Sequence, residues 1–125
     1  MSWKEEYRSK LLSLSEAVGL VQSGYTIQIG IAASEPVGLL EELANQADRL
    51  FDVTMWTCLP MRAYDIFVKP EMEGHFYNEN WFYGAPDRAV HQEGRVSYTP
   101  NNLHRAAVDK LIGHQDKLDI FMGTC

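Results

Sequence analysis

Cysteine is nearly absent: Cys58 and Cys125 are the only two among 125 residues. Two cysteines this far apart make neither a disulfide framework nor a zinc pattern, and this usage suits a reducing cytoplasm. Basic charge is also short. Eleven Lys and Arg stand against seventeen Asp and Glu, for a net charge of −6. The basic residues are scattered rather than gathered into the stripe that nucleic acid binding requires. No apolar run approaches the ~18 residues of a membrane span. The opening "MSWKEEYRSKLL" is too charged for a signal peptide and too acidic for a transit peptide. Phosphate-binding signatures are missing as well, with neither GxGxxG nor GxxxxGK(S/T) in the chain. No repeat, low-complexity tract or linker interrupts it. Nucleic acid, membrane, dinucleotide and P-loop functions are therefore not indicated, and a cytoplasmic location is the expectation.

What is present suits one globular domain. Hydrophobic residues make up 46% and charged residues 22% of the chain, and 125 residues can bury a real core. Helical and strand patterns alternate. Ser2 is placed to cap a helix over Trp3–Leu11. Ser13-Leu14-Ser15-Glu16 has the form of a capping box, and Leu14, Ala17, Val18 and Val21 make one helical face. Gly24 suits a left-handed cap. "YTIQIGI" predicts the first strand. Pro36 suits the first position of the next helix, in which Leu40, Leu43, Ala47 and Leu50 recur at helical spacing. "DVTMWTCL" predicts a second strand stopped by Pro60, and the stretch to Gly74 predicts loop and a short helical turn. "HFYNENWFY" is extended and aromatic. Gly84-Ala85-Pro86 opens a helix over "DRAVHQEG" that Gly94 closes. A short strand "RVSYTP", a helix "LHRAAVDKLIG" capped by Asn101 or Asn102, and a strand "LDIFMGT" complete the pattern.

Strands joined by helices imply an α/β domain with a mostly parallel sheet flanked by helices. Such sheets bind ligands beyond the carboxyl ends of their strands. Gly30–Pro36, Leu59–Arg62 and Tyr83–Pro86 fall there. The last strand would leave its final residue at that edge, so the folded unit is expected to continue beyond Cys125.

Candidate chemistry is sparse. Gly30 permits close approach of backbone to a ligand, but Gly30 and the following alanines also suit a tight strand-to-helix turn, and on pattern alone packing is the stronger explanation. Glu35, at the start of a helix, could act as nucleophile or base. Its placement is equally what the helix dipole favours, and that reading is preferred. Cys58 has no adjacent group to lower its thiol pKa, Arg62 being the nearest cation, and it reads as a buried inert thiol. His75, His91, His104 and His114 lack the spacing of a metal site, and Glu71 and Glu73 beside His75 are not diagnostic. Phe76, Tyr77, Trp81, Phe82 and Tyr83 could line a groove, or serve as sheet core and subunit interface.

Linked motifs then point to a family. Tyr7 and Lys10, Glu16-Ala17-Val18, Ser23-Gly24, Gly30, Glu35-Pro36, Leu39 or Leu40, and Leu43 follow one another along the first third. Lys69-Pro70, Met72-Glu73, His75-Phe76, Gly84, Arg88, Glu93-Gly94-Arg95 and Tyr98-Thr99-Pro100 follow later. In this order they resemble the amino-terminal part of the acetyl-CoA hydrolase/transferase family, in particular its 4-hydroxybutyrate and butyryl-CoA:acetate CoA-transferases. The resemblance covers nearly the whole chain. It implies a CoA-transferase-type (NagB/RpiA-like) amino-terminal domain over residues 1–125, incomplete without a carboxyl-terminal catalytic domain.

The same resemblance implies transfer of coenzyme A between a short-chain acyl-CoA and a carboxylate such as acetate, through a glutamyl-CoA thioester. The nucleophilic glutamate would lie outside this chain, so no catalytic residue is assigned here and no metal or permanently bound cofactor is expected. Coenzyme A and acyl-CoA enter as substrates. The missing domain and, in the whole enzyme, further copies of it are the expected partners. Gly30, Ala33, Ser34, Glu35 and Pro36 in one loop, and Cys58 and Arg62 in another, are the candidates for the wall of the acyl cleft. "TCLPMRAYDIF" lacks the Gly and Ser associated with this strand end in some members, which leaves the acyl preference open. Two alternatives stand beside this reading: a split, non-catalytic α/β subunit that needs a partner domain, and a sugar-phosphate isomerase-like protein, for which the phosphate loops are missing.

Overall fold

The computed structural model describes residues 2–106 and 118–124. Two capped helices open the chain. In α1 (Trp3–Lys10) the Ser2 side chain accepts from Glu5 N–H and the Glu5 carboxylate returns the bond, and α2 (Leu14–Gly19) repeats the device with Ser13 and Glu16. Reciprocal bonds of this kind satisfy two donors that the first turn leaves free. α1 buries none of its residues. Val18 and Val21 enter the core.

Five strands follow: β1 (Thr26–Ile29), β2 (Val53–Thr57), β3 (Phe76–Asn80), β4 (Val96–Tyr98) and β5 (Ile120–Met122). They form one sheet in the order β4-β3-β2-β1-β5, and every neighbouring pair is parallel. The chain steps outward from β1 to β4, and β5 then takes the other side of β1. That reversal places a crevice at the carboxyl ends of β1 and β5, where open α/β sheets bind ligands.

The period-2 pattern divides the sheet cleanly. Ile27, Ile29, Val53, Met55 and Phe76 point to one face, where α2, α3 (Val37–Asn45) and α4 (Asp65–Val68) close over them with Val18, Leu40, Leu43, Ile66 and Phe67. The opposite face carries a register row of Phe121, Gln28, Trp56, Glu79 and Ser97 on adjacent strands. Trp56, Cys58 and Trp81 form a small second cluster there, with Ala106 and Leu118 against it.

Most expected elements are present, with shifted ends. Pro36 stands just before α3 rather than as its first residue, and Gly24 takes its left-handed conformation (φ +78°) in the turn before β1, five residues after α2 has ended. The predicted helix after Gly84 is α5 (Ala85–Val90) followed by a 3-10 turn at His91–Glu93, closed by Gly94 at φ +75°. Of the helix expected over "LHRAAVDKLIG", a 3-10 turn at Leu103–Arg105 and the following Ala106 are described, and the remainder lies outside the described residues, as do His114 and Cys125.

Candidate functional site

At the carboxyl edge of β1 the chain turns at once. Residues Ala32–Ser34 make a single 3-10 turn, with Ala32 at φ +48°. The turn folds back so tightly that a Cβ on Gly30 would lie 2.2 Å from the Ser34 carbonyl oxygen. Gly30 therefore accommodates its own loop. Its N–H donates to Met122 O at 2.8 Å, and Thr124 N–H donates to Ser34 O at 3.2 Å, so the end of β5 is tied to the same loop. Ala33 and Ser34 remain exposed at the edge, while Glu35 and Pro36 are buried.

Glu35 is only 5% exposed, and its two oxygens take different partners. Oε1 accepts from Met61 N–H at 3.1 Å and Oε2 from the Tyr64 hydroxyl at 2.9 Å. Both donors belong to the loop after β2, so the carboxylate joins the two loops that the sequence marked as separate candidates. Burial pushes Glu35 above the usual carboxylate range, and the bonds from Tyr64 and Met61 and the charge of Arg62 work against that rise. The Tyr64 hydroxyl is pushed upward in turn, by burial first and then by its bond to Glu35.

The β2 loop is held from its other side too. Leu59 sits at φ +54°, a conformation costly for a side-chain-bearing residue, and its N–H donates to Phe82 O at 2.7 Å. Gly84 packs so closely that a Cβ would meet Pro60 O at 2.2 Å. Beneath this contact a directional chain runs through buried side chains. Thr57 Oγ1 donates to Asn78 Oδ1 at 2.7 Å, Asn78 Nδ2 donates to Asp87 Oδ1 at 3.1 Å, and Gly84 N–H donates to Asp87 Oδ2 at 2.8 Å. Asp87 is raised by burial, against the bonds it accepts.

The candidates thus divide. Gly30, Ala33, Ser34, Glu35 and Pro36 share one loop, and Glu35 meets the backbone just before Arg62. Arg62 itself is exposed and opens on a groove beside Leu40, Glu41 and Asn45 of α3. Cys58 faces the other way, into the Trp56–Trp81 cluster, where burial raises its thiol pKa. A mostly apolar cavity of about 450 Å³ opens at the β1–β5 crevice, lined by Gln28, Gly30, Ile31, Ser34, Trp56 and Trp81 among others. Tyr64 and Asp87 escaped the sequence reading. Asp87, three residues after Gly84 at a helix start, carried a capping signal that could have marked it; Tyr64 carried none. Among the described residues no group of three or more His, Cys, Asp or Glu could hold a metal, and no helix is long and apolar enough to cross a membrane.

Comparison with known proteins agrees with this architecture. The profile of the acetyl-CoA hydrolase/transferase N-terminal domain matches residues 1–122. The chain belongs to this family. Over 100 residues, 80% of the chain, it is 28% identical to the 4-hydroxybutyrate coenzyme A transferase of Clostridium kluyveri and 31% identical to the butyryl-CoA:acetate CoA-transferase of Anaerostipes caccae. It spans about a quarter of these relatives, 23% and 22% of their lengths. RipA from Yersinia pestis superposes over 98% of the chain and 30% of its own, with a TM-score of 0.84 at 27% identity. The 4-hydroxybutyrate CoA-transferase of Porphyromonas gingivalis, at 21% identity and a TM-score of 0.55 over 96% of the chain and 26% of its own, shares the fold. The family match sets aside the sugar-phosphate isomerase alternative, and the fold is the CoA-transferase type that the motifs implied.

Proposed function

We propose that this chain supplies the amino-terminal wall of a CoA-transferase that moves coenzyme A between a short-chain acyl-CoA and a carboxylate such as acetate. The sulfur of coenzyme A passes from the donor acyl group to a glutamate carboxyl group, and from there to the acceptor. Each transfer exchanges one thioester for one carboxylate, with no change in oxidation state. The glutamate belongs to a carboxyl-terminal domain outside this chain. Glu35 is not assigned that role; the engagement of both its oxygens by the β2 loop and its burial support a structural part for it.

The observation that carries this reading is the pair of loops after β1 and β2, locked together by Glu35 beside a mostly apolar cavity, in a chain of this family. Exposed Ala33 and Ser34 offer a surface to the thioester. The proposal includes a cytoplasmic location and a homo-oligomeric whole enzyme.

The deciding experiment measures the intact mass of the native protein, then assays acyl-CoA:acetate exchange. A native mass several-fold above 14.2 kDa, exchange by that protein, and none by the 125-residue chain are expected. A native mass near 14.2 kDa would instead favour a split subunit with a separate partner domain. Exchange by the isolated chain, abolished in Glu35→Gln, would overturn the assignment of the nucleophile to another domain.

A further inference from the structure

A second cavity, of about 430 Å³, lies at the same sheet edge beside the ends of β3 and β4, lined by Phe82, Tyr83, Arg88, His91 and Tyr98. Its walls combine flat apolar surface with cationic and hydrogen-bonding groups. Phe82 and Tyr98 are 56% and 53% exposed and present their ring faces at this edge. Tyr83 stands between two other rings, edge-on to His91 with centroids 5.4 Å apart and to Tyr98 at 5.2 Å.

The bonds of Tyr83 fix the state of His91. The Tyr83 hydroxyl lies 3.1 Å from Val96 O and 3.0 Å from His91 Nδ1. A carbonyl oxygen only accepts, so the single phenolic proton goes to Val96, and His91 Nδ1 carries a hydrogen that it donates to the Tyr83 oxygen. Nε2 is left as the open nitrogen of the ring. The guanidinium of Arg88 makes no ion pair or side-chain hydrogen bond among the described residues, whereas Arg95 pairs with Glu93 and Arg49 bonds Val18 O and Val21 O.

We propose that this cavity binds a phosphorylated nucleoside, the base stacking on Phe82 or Tyr98 and a phosphate engaging Arg88. Stacking on an aromatic ring suits any base, and the guanidinium fork matches phosphate geometry. Resting on the function proposed above, the nucleoside is the 3′-phosphoadenosine end of coenzyme A. Trp81 lines the first cavity and Phe82, the next residue, lines the second. From β1 to β3 is two strand spacings, about 10 Å, so an extended ligand can lay its thioester at the β1–β5 crevice and its nucleotide at β3–β4.

The test is calorimetric titration of the 125-residue chain with adenosine 3′,5′-bisphosphate, AMP, adenosine and coenzyme A. The bisphosphate and coenzyme A are expected to bind, adenosine roughly tenfold or more weakly, with Arg88→Gln weakening the bisphosphate and the double change Phe82→Ser, Tyr98→Ser weakening all four by about tenfold. Arg8→Gln on α1 should change nothing, and unchanged circular dichroism should show that both site variants fold. Weaker binding of AMP supports coenzyme A as the ligand; equal binding keeps the nucleotide site and overturns that assignment. No binding of the bisphosphate, or binding indifferent to Arg88→Gln, refutes the proposal. If coenzyme A still binds in that case, the transferase reading survives alone. Arg88-dependent bisphosphate binding in a native protein that exchanges no CoA would leave the site and remove the transferase reading.

Discussion

The Tyr64 hydroxyl donates to Glu35 Oε2 at 2.9 Å across the boundary between the β1 and β2 loops. This buried contact, with the Met61 N–H on the other oxygen, couples two loops separated by the whole of α3 and β2. It also makes the sheet edge sensitive to the charge of one carboxyl group.

The sign of that sensitivity follows from the direction of the shift. Burial raises Glu35 above its ordinary value. A group raised in the folded state contributes its full stability below the unfolded pKa and loses it as pH climbs to the folded value. Above the folded value the ionised form of Glu35 is therefore a cost. Glu35→Gln keeps an acceptor for Met61 N–H and removes the charge. It should be at least as stable as the parent at pH 7, and the difference should close by about pH 4, near the unperturbed Glu pKa. Urea denaturation at both pH values checks this, and a Gln variant that is less stable than the parent at pH 7 alone would reverse the sign.

Tyr64→Phe removes one donor and leaves the ring. The expected loss is about 1.5–3 kcal/mol at pH 7, the range for hydrogen bonds to charged groups. With the Tyr64 bond gone and only Met61 and the charge of Arg62 left to favour the ionised form, Glu35 should rise further, extending the fall in stability to higher pH. Combined with Glu35→Gln, the Tyr64→Phe change should cost less than it does alone, a coupling that a double-mutant cycle reads directly. Strict additivity would show that the contact contributes nothing.

The architecture was legible because its signals are local and periodic. The Ser2 cap, the Ser13 capping box, the β-branched and aromatic run of β1, and Gly94 as a left-handed stop are each contained in a few residues. The site was legible only as separate loops. Glu35 read as a helix-start acid because the dipole explains an acid there, and its actual partners stand 26 and 29 residues away. Cys58 and Arg62 are four residues apart, yet the strand pleat and the following turn send one into the tryptophan cluster and the other to the α3 groove. Long-range pairing of this kind has no sequence period to reveal it.

Glycine at 30 and 84 is required for a reason that substitution can expose. At neither position is φ in the left-handed region; a Cβ at either would instead approach a carbonyl oxygen to 2.2 Å, Ser34 O in one case and Pro60 O in the other. Backbone cannot move aside as a flexible side chain can. Gly30→Ala and Gly84→Ala should each cost about 1–3 kcal/mol or more, as overpacking does. Gly74→Ala serves as contrast, because its Cβ meets nothing within 4 Å and the strain there comes from φ +81°. Thermal melts of the three variants check the ranking, and a neutral Gly30→Ala would mean that the loop opens freely.

Asp87 offers the sharpest test of the polar chain beneath the β2 loop. Thr57 donates to Asn78 Oδ1, which fixes Asn78 Nδ2 toward Asp87, and Gly84 N–H points at the other carboxylate oxygen. Both Asp87 oxygens therefore face donors. In Asp87→Asn, one oxygen becomes an NH2 group, which must confront either Asn78 Nδ2 or Gly84 N–H. Flipping Asn78 to relieve the first clash would place its NH2 toward Thr57, whose hydroxyl can then only accept. Despite removing a buried charge, the isosteric change should destabilise by about 1–3 kcal/mol, the cost of an unsatisfied buried donor. Asn78→Asp in the same background restores an acceptor opposite the new NH2 and should recover part of the loss. The measurement is the urea midpoint of the two variants at pH 7. A fully stable Asp87→Asn would show that the carboxylate is held by space alone, and that its bonds to Gly84 and Asn78 do not set the geometry of the β3 end.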